Sequence, residues 1–321
     1  MTTLKEIADE LLRHSEILIF CHARPDGDTI GSAMAVKTAL SKKNIASEIV
    51  CSSDIPNKYF FLKGVETIKK PTEIAKEYSV HLSVDVSVES MLGDAYGLYT
   101  EAKTLINVDH HVSNSRYAKY NYVKDMAACS EIIYELINEL GVEIDAEIAN
   151  FLLLGISTDT GNFMHSNVTG NTLSVASDLV SRGGDLHEIA YKMFKSQSKA
   201  RANLYAKIIS RTRYFLDDKL AIITIFKSDL EEFGATSDMT EGFIDFPLSV
   251  DGVEVAVSIL ETKPEHSYKI SFRSKGKINV NEVASVFGGG GHILASGCMI
   301  FGFYEDVKDK IIRAVSDTLE L

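Results

Sequence analysis

Apolar runs of strand length alternate with helical patterns in the first half of the chain. The run "EILIF" precedes a predicted helix from about Thr29 to Lys43, and it is followed by "SEIVC", a segment broken by Pro56 and Pro71, "VHLSVDVS" and "TLINVDHH". Uninterrupted apolar strands separated by helices are typical of a parallel sheet covered on both faces. The pattern predicts an α/β domain with a doubly wound, mainly parallel sheet.

The pattern changes twice in the second half. Helical patterns fill Cys129 to Arg182, and two charged helical segments follow up to about Thr212. Alternating strands then begin with "YFLDDKLAIITIF", "VEVAVSILET" and "YKISFRS", before helices in "NVNEVASVF" and at the C-terminus. We therefore expect an α/β domain over residues 1–185, a helical connector over 186–213 and a smaller α+β domain over 214–321.

Composition and charge limit the classes of function. The chain has 321 residues and 45% hydrophobic content, enough for two cores. Its formal charge of −12 argues against wrapping duplex DNA, although it permits a small anionic substrate. No apolar run approaches the roughly 18 residues of a membrane span. The N-terminus predicts an amphipathic helix with a capping box from Thr3 and Glu6, and the four separated cysteines indicate reduced thiols, so we expect a cytoplasmic protein without membrane contact.

Aspartate and histidine follow several of these apolar runs. In an open α/β sheet, ligands bind outside the carboxyl ends of the parallel strands. The side chains expected at that edge are His22, Asp26, Asp28, Asp85, Asp109, His110, His111 and Asp159. Taken singly, an aspartate there is usually a turn former or a helix cap, and a lone histidine is usually an ordinary surface or core residue.

The joint pattern favours metal ions over those ordinary roles. Asp85 lies in an otherwise apolar strand, where an unpaired carboxylate is costly, and three titratable groups close the next strand. Carboxylates gathered without a cation repel one another. Imidazole and carboxylate ligands without thiolate suit a pair of manganese, magnesium or zinc ions, which can activate water and neutralise phosphate oxygens.

Two segments of the C-terminal part have the composition of an anion site. The stretch "VFGGGGHILASG" is either a backbone cradle for a phosphate or a tight packing turn, and no Walker lysine follows it. The stretch "YKISFRSKGK" contains four basic residues and no acid. It is either an edge strand protected by lysines or a phosphate contact, for which Arg273 is the best candidate.

Several of these motifs resemble one family. The N-terminal half resembles the DHH phosphoesterases, which are related to RecJ, in their four motifs: "HARPDGDTIGS", "VDVS", "VDHH" and "STDTGNF". The C-terminal half resembles the DHH-associated C-terminal domain in "TEGFIDFP", "SFRS" and "GGGGHILASG". Within that class the chain is similar to the NrnA-type group, the nanoRNases and pAp phosphatases (pAp is adenosine 3',5'-bisphosphate). The resemblance implies two divalent metal ions, Mn²⁺ first and Mg²⁺, Co²⁺ or Zn²⁺ as alternatives.

The resemblance also implies a role for each matching residue. His22 and Asp26 would hold one metal ion, Asp28, His110 and Asp159 the other, and Asp85 would bridge them. The residues expected to contact substrate in the C-terminal domain are Arg273, Ser274, Gly289, Gly290, Gly291 and His292.

Two further residues of the third motif complete the expected catalytic set. His111 would face the substrate, binding phosphate or protonating the leaving oxygen, and Asp109 would orient an imidazole. One position departs from the pattern, because Met91 stands where many relatives have a basic residue. That departure leaves the metal ligands intact and bears on substrate preference.

The expected activity is hydrolysis of very short single-stranded oligoribonucleotides, dinucleotides included, to mononucleotides, together with removal of the 3'-phosphate of pAp. A manganese-dependent inorganic pyrophosphatase and a cyclic-dinucleotide phosphodiesterase use the same metal chemistry and remain alternatives. A non-catalytic nucleotide sensor is an alternative of another class, against which the complete set of ligands argues. The resemblance also suggests a homodimer.

Overall fold

The structure, a computed structural model, describes residues 2–319. The chain divides into two compact units, one ending at Ser196 and the other beginning at Gln197. This division falls within the segment 186–213 that we expected to connect the domains. The finer three-part division remains a prediction.

The N-terminal unit is built on five strands. They are β1 Glu16–Phe20, β2 Ala46–Val50, β3 Val80–Val84, β4 Thr104–Asp109 and β5 Tyr120–Val123. Its helices are α1 Leu4–Leu12, α2 Gly27–Lys42, α3 Tyr96–Tyr99, α4 Cys129–Glu139, α5 Ala146–Asp159, α6 Gly170–Ser181 and α7 Leu186–Ala190.

The five strands form one parallel sheet in the order β2-β1-β3-β4-β5. Apolar residues cover both faces: Ile17 and Ile19 belong to the larger core cluster, and Leu18 and Phe20 to a smaller one with Tyr99. The predicted doubly wound α/β fold is therefore confirmed. The strand order reverses between β1 and β3, which is where such sheets bind ligands.

Strand β5 was not predicted from the sequence. Its residues, "YNYV", are all half-buried at one edge of the sheet, so they lack the apolar run that marks the inner strands. Its register with β4 places Val123 beside Asp109, close to the predicted site.

Helices α2 and α5 pack closely because glycines face the neighbouring helix. A Cβ atom at Gly31 would lie 2.3 Å from the Phe151 carbonyl oxygen, and one at Gly155 would lie 1.9 Å from Ser130 Oγ and 2.4 Å from Asp28 Oδ1. The absence of these Cβ atoms lets the start of α2, the start of α4 and the C-terminal half of α5 approach one another.

The C-terminal unit contains a separate six-stranded sheet. Its strands are β6 Arg213–Phe215, β7 Leu220–Ile225, β8 Val255–Thr262, β9 Ser267–Ser274, β10 Gly290–Gly291 and β11 Ala295–Phe301. Its helices are α8 Lys199–Ser210, α9 Lys227–Phe233, α10 Asp245–Ser249, α11 Val280–Ser285 and α12 Tyr304–Thr318. The order is β10-β11-β9-β8-β7-β6, with only β7 and β8 parallel, so the predicted α+β architecture is confirmed.

The position of β9 corrects one alternative from the sequence. Strand β9 lies between β8 and β11, so its basic residues do not protect a sheet edge. Strand β11 was not predicted, because it begins with small residues and only three residues separate it from the end of the glycine run. Its pairing makes β9 an inner strand.

Two expectations from composition are met in the described residues. The four cysteines are buried and free, and Thr3 and Glu6 form the capping box of α1. Among residues 2–319, no helix has both the length and the apolar character required to cross a bilayer.

Candidate metal centre

The predicted ligands meet at the carboxyl ends of β1, β3 and β4. His22 follows β1, Asp85 follows β3, and Asp109 is the last residue of β4. Two helix termini complete the cluster: Asp26 caps the start of α2, and Asp159 is the last residue of α5. Residues far apart in the chain thus converge at one edge of the sheet.

His22, Asp26 and Asp85 form one group of three possible ligands. His22 Nε2 lies 3.5 Å from Asp26 Oδ2 and 3.6 Å from Asp85 Oδ2. Asp26 uses its other oxygen to accept hydrogen bonds from the backbone N–H groups of Asp28 and Thr29. The helix cap therefore fixes the carboxylate with Oδ2 towards the cluster.

Asp28, His110 and Asp159 form a second group. His110 Nε2 lies 3.4 Å from Asp159 Oδ2 and 3.4 Å from Asp85 Oδ1. Asp85 therefore presents one oxygen to each group, the arrangement expected of a bridging carboxylate.

The donor atoms fit divalent cations better than direct hydrogen bonds. Asp85 Oδ1 and His110 Nε2 are buried and have no hydrogen-bond partner, which is costly for polar atoms. Separations of 3.4–3.6 Å exceed ordinary hydrogen bonds. They match two ligands of a single ion that binds each at about 2.0–2.2 Å. His110 Nδ1 lies 3.0 Å from the Met126 carbonyl oxygen, and a hydrogen bond to it leaves Nε2 free as a ligand.

Asp28 is anchored by the start of α4. Its Oδ1 accepts hydrogen bonds from the backbone N–H of Ser130 at 2.9 Å and from Ser130 Oγ at 2.6 Å, while Oδ2 accepts from the Cys129 N–H at 2.5 Å. The positive end of the helix thus faces a fully buried carboxylate. This packing requires Gly155, which leaves the space that Ser130 and Asp28 occupy.

The cluster of carboxylates shifts the pKa values of its members. Burial and the negative charges of Asp28 and Asp85 raise the pKa of Asp159 to about 9. Burial alone would lower the pKa of His22, but the interactions with Asp26 and Asp85 outweigh it and raise this pKa to about 10. Both shifts report an excess of negative charge that divalent cations would balance.

The backbone at Asp85 is also unusual. Its φ is +58°, a left-handed conformation that is uncommon for residues other than glycine and is tolerated best by Asn, Asp and His. The turn directs the side chain of Asp85 towards both histidines, at an energetic cost of the kind that concentrates at functional sites.

His111 and Asp109 lie side by side at the end of β4. His111 Nδ1 lies 2.8 Å from Asp109 Oδ1, and Asp109 is fully buried. Burial alone would raise the pKa of Asp109, but hydrogen bonds from His111 and Asn114 lower it, so it stays ionised. Because Nδ1 donates to Asp109, the remaining nitrogen of the half-exposed His111 ring is the one available to a substrate.

The candidate substrate residues lie together within the C-terminal unit. Arg273 pairs with Ala295 across β9 and β11, and the Ala295 carbonyl oxygen accepts a hydrogen bond from the His292 N–H. Ser274 is buried, with its Oγ accepting from the Gly276 N–H at 3.0 Å. Arg273 makes one hydrogen bond, to the Phe272 carbonyl oxygen, and no ion pair with a described residue.

Packing explains part of the glycine run. A Cβ atom at Gly289 would lie 2.3 Å from the Gly297 carbonyl oxygen, and one at Gly291 would lie 2.6 Å from the Ala295 carbonyl oxygen. The Gly289 N–H donates to the Ala284 carbonyl oxygen, so it is already engaged. Gly290 is exposed and has no such close contact. The assignment of these glycines to phosphate binding remains a prediction, and His292 and Arg273 are the side chains that support it.

The structure adds two features that sequence reasoning missed. Asn114 lies 2.6 Å from Asp109, and Ser130 anchors Asp28. The signal for Asn114 was its place three residues after His111. Met91 packs in the smaller core cluster and accepts a hydrogen bond from Ser87 Oγ at its sulfur. An apolar residue therefore fits this position.

A parallel α/β sheet with clustered imidazole and carboxylate groups at its switch point is the architecture of a metal-dependent phosphoesterase. Comparison with known proteins agrees with this class. A family model described as "DHH family, N-terminal domain" matches residues 16–156, and one described as "DHHA1 domain" matches residues 217–321.

The "Bifunctional oligoribonuclease and PAP phosphatase NrnA" of Thermus thermophilus is 32% identical over 306 residues, 94% of this chain and 90% of the relative. The chain therefore belongs to the DHH phosphoesterase family, whose members depend on metal ions. A "Probable manganese-dependent inorganic pyrophosphatase" of Streptococcus mutans is 26% identical, over 74% of this chain and 83% of the relative. The crystal structure of an exopolyphosphatase-related protein from Bacteroides fragilis has a TM-score of 0.90 at 24% identity, over 98% of this chain and 96% of that one, which supports the fold.

Proposed function

We propose that this protein hydrolyses short oligoribonucleotides to mononucleotides and removes the 3'-phosphate of pAp. The observation that supports the phosphoesterase activity is the pair of three-ligand groups described above, in which Asp85 belongs to the first group and presents its second oxygen to His110 of the other. The choice of substrate is supported by the near full-length similarity to the Thermus thermophilus protein, which extends through both family domains.

We propose Mn²⁺ as the metal, with Mg²⁺, Co²⁺ and Zn²⁺ as alternatives. The donor set of imidazole and carboxylate groups suits all four ions. The similarity to a manganese-dependent pyrophosphatase favours Mn²⁺. When bound, two such ions supply an activated water and neutralise charge on the phosphate.

In this proposal the residues of the N-terminal unit either bind the metal ions or contact the substrate. His22 and Asp26 would hold one ion and Asp28, His110 and Asp159 the other, with Asp85 available to both. His111 offers its outer ring nitrogen to a phosphate oxygen or to the leaving oxygen, because Asp109 holds the inner nitrogen. Asp109 thereby stabilises a charged imidazole.

The C-terminal unit supplies substrate contacts in the same proposal. The Arg273 guanidinium group donates from Nη1 to the Phe272 carbonyl oxygen. Its Nε and Nη2 groups are left for a phosphate, which favours bidentate binding. Ser274, His292 and the run Gly289, Gly290 and Gly291 are assigned beside it. A few basic groups at the substrate suffice, so a net charge of −12 is compatible with an anionic ligand.

Two other properties belong to the proposal. Four buried free cysteines suit a reducing compartment, and we propose a cytoplasmic location. We also propose a homodimer, which light scattering after size-exclusion chromatography would test.

The experiment uses three substrates in parallel with Mn²⁺: a 5'-phosphorylated diribonucleotide, pAp and inorganic pyrophosphate. We expect mononucleotides from the first and phosphate from the second. Turnover of pyrophosphate alone would retain the metal centre and replace the substrate assignment with the pyrophosphatase alternative. Inactivity on all three would favour the nucleotide sensor.

A further inference from the structure

Asn114 holds the carboxylate that orients His111. It lies in the loop after β4, half-buried, and its Nδ2 lies 2.6 Å from Asp109 Oδ2. Asp109 Oδ1 accepts the hydrogen bond from His111 Nδ1 at 2.8 Å. Both oxygens of a fully buried carboxylate are therefore engaged, one by the imidazole and one by the amide.

The orientation of the Asn114 amide is fixed by its surroundings. Its Oδ1 accepts a hydrogen bond from the Arg116 N–H at 2.7 Å, and its Nδ2 also lies 2.9 Å from Asn107 Oδ1. A flipped amide would place Oδ1 against Asp109 Oδ2 and break the bond to Arg116. The donor side of the amide must therefore face Asp109.

A buried polar network around Asn107 also holds the Asn114 amide in this orientation. Asn107 Nδ2 lies 2.9 Å from Ser83 Oγ and 3.0 Å from Tyr117 OH, and Asn107 is fully buried. Because Nδ2 of Asn107 is committed to these acceptors, its Oδ1 is left to accept from Asn114. Satisfied networks of this kind hold side chains in one arrangement.

Asn114 also connects the ends of two strands. Its Nδ2 lies 3.1 Å from the carbonyl oxygen of Val86, the residue after Asp85. A single side chain thus contacts the chain that follows β3 and the carboxylate that ends β4. Its loss would loosen the position of Asp109 relative to Asp85.

We propose that Asn114 is a positioning residue for His111. By donating to Asp109 Oδ2, it presents Oδ1 to His111 Nδ1–H and so leaves the outer ring nitrogen of His111 available to a phosphate or leaving oxygen. The inference rests on the proposed function, because it assigns His111 to the substrate.

The first test compares Asn114→Ala with the wild type on the diribonucleotide and pAp. We expect kcat to fall about 10- to 100-fold, as for other groups that orient an active-site histidine, with KM nearly unchanged. The matched control is Asn138→Ala, an exposed asparagine on α4 whose Nδ2 donates to the Tyr134 carbonyl oxygen. Equal kcat values for Asn114→Ala and the wild type would overturn the inference.

A double-mutant cycle separates positioning from general damage. If Asn114 acts through His111, then adding Asn114→Ala to His111→Ala should change kcat by less than about twofold. A full additional loss in that background would show that Asn114 acts on the fold and would overturn the inference. If Asn114→Ala does not fold, Asn114→Leu is used instead, because it retains most of the volume and lacks the amide donor without placing a second charge beside Asp109.

Nuclear magnetic resonance gives a readout that is independent of turnover. In protein labelled with ¹⁵N-histidine and loaded with Mg²⁺, the wild-type His111 ring should carry its proton on Nδ1, with the signal assigned by its loss in His111→Gln. We expect Asn114→Ala to reduce the Nδ1–H population, and an unchanged signal would overturn the inference. A wild-type enzyme inactive on all substrates would instead refute the proposed function.

Discussion

Asp85 Oδ1 lies 3.4 Å from His110 Nε2 at the ends of neighbouring strands, and neither buried atom has a hydrogen-bond partner. The other oxygen of Asp85 faces His22 at 3.6 Å. One carboxylate therefore stands between two imidazoles that it does not bind directly. A cation on each side satisfies all four atoms, and this requirement makes Asp85 the most sensitive position in the cluster.

Replacing Asp85 by Asn should remove activity and leave the fold intact. Asn tolerates the left-handed backbone at this position, with its φ of +58°, so the variant tests charge and not conformation. We expect kcat to fall about 1000-fold or more, the scale for losing a main electrostatic group. Elemental analysis should show fewer bound metal ions than in the wild type. The control is Asp125→Asn at an exposed site, and full activity with full metal content in Asp85→Asn would refute the two-metal model.

Gly155→Ala should destabilise the protein through Asp28 and Ser130. At a solvent-exposed position inside a helix, a change from Gly to Ala raises the free energy of unfolding by up to about 1 kcal/mol. Here the new Cβ would lie 1.9 Å from Ser130 Oγ and 2.4 Å from Asp28 Oδ1, so we expect a net loss of about 2 kcal/mol, of the size caused by overpacking, together with weaker metal binding.

Gly170→Ala at the start of α6 is the matched control for that change. No atom lies within 4 Å of the Cβ that it would add. Its free energy of unfolding should stay within about 0.5 kcal/mol of the wild type in urea titrations. Equal stabilities of the two variants would show that α2, α4 and α5 have room to separate.

The sequence predicts the parts of this molecule that depend on local pattern. The buried strands β1, β3 and β4 are recognisable because both faces are covered, and their terminal Asp and His residues follow directly. Strands β5 and β11 were not predicted, because β5 is a half-buried edge strand without an apolar run and β11 begins with small residues. Pairing with distant partners decides their structure.

The candidate site, too, can be predicted from the sequence only in part. Residue type and position at strand ends suffice to nominate His22, Asp85 and His110. The hydrogen bond from Asn114 to Asp109 and the anchoring of Asp28 by Ser130 involve ordinary polar residues, for which residue type alone predicts no contact with the site. Only the folded structure brings Asn114 to Asp109 and Ser130 to Asp28.

Arg273→Ala should weaken substrate binding without affecting the metal ions. The guanidinium group has no carboxylate partner among the described residues, so it is free for a phosphate. Loss of a charge-assisted hydrogen bond should raise KM about 10- to 100-fold for the diribonucleotide, while metal content stays constant. Arg273→Lys should recover only part of the loss, because an ammonium group lacks the fork geometry. Arg213→Ala, at an exposed position on β6, is the control, and an unchanged KM in Arg273→Ala would remove Arg273 from the substrate site.

Asp229→Asn should destabilise the protein in a way that depends on pH. The Asp229 carboxylate is 2% exposed, and it accepts hydrogen bonds from Arg211 at 2.5 Å and from the Phe226 N–H at 2.9 Å. Burial alone would raise its pKa, but Arg211, the Phe226 N–H and Lys207 lower it below the ordinary value. The ionised form therefore stabilises the folded state above the unfolded pKa of about 3.9, and this contribution is lost as pH falls through the lower folded pKa.

We expect the Asp229→Asn variant to lose about 2 kcal/mol of unfolding free energy at pH 7 and the difference from the wild type to shrink below about pH 3. Urea titrations across this pH range measure the difference in unfolding free energy. The control is Glu232→Gln, which removes a more exposed partner of Lys207 and should change the unfolding free energy by less than about 1 kcal/mol. A difference that is the same at every pH would show that Asp229 acts through packing and not through its charge.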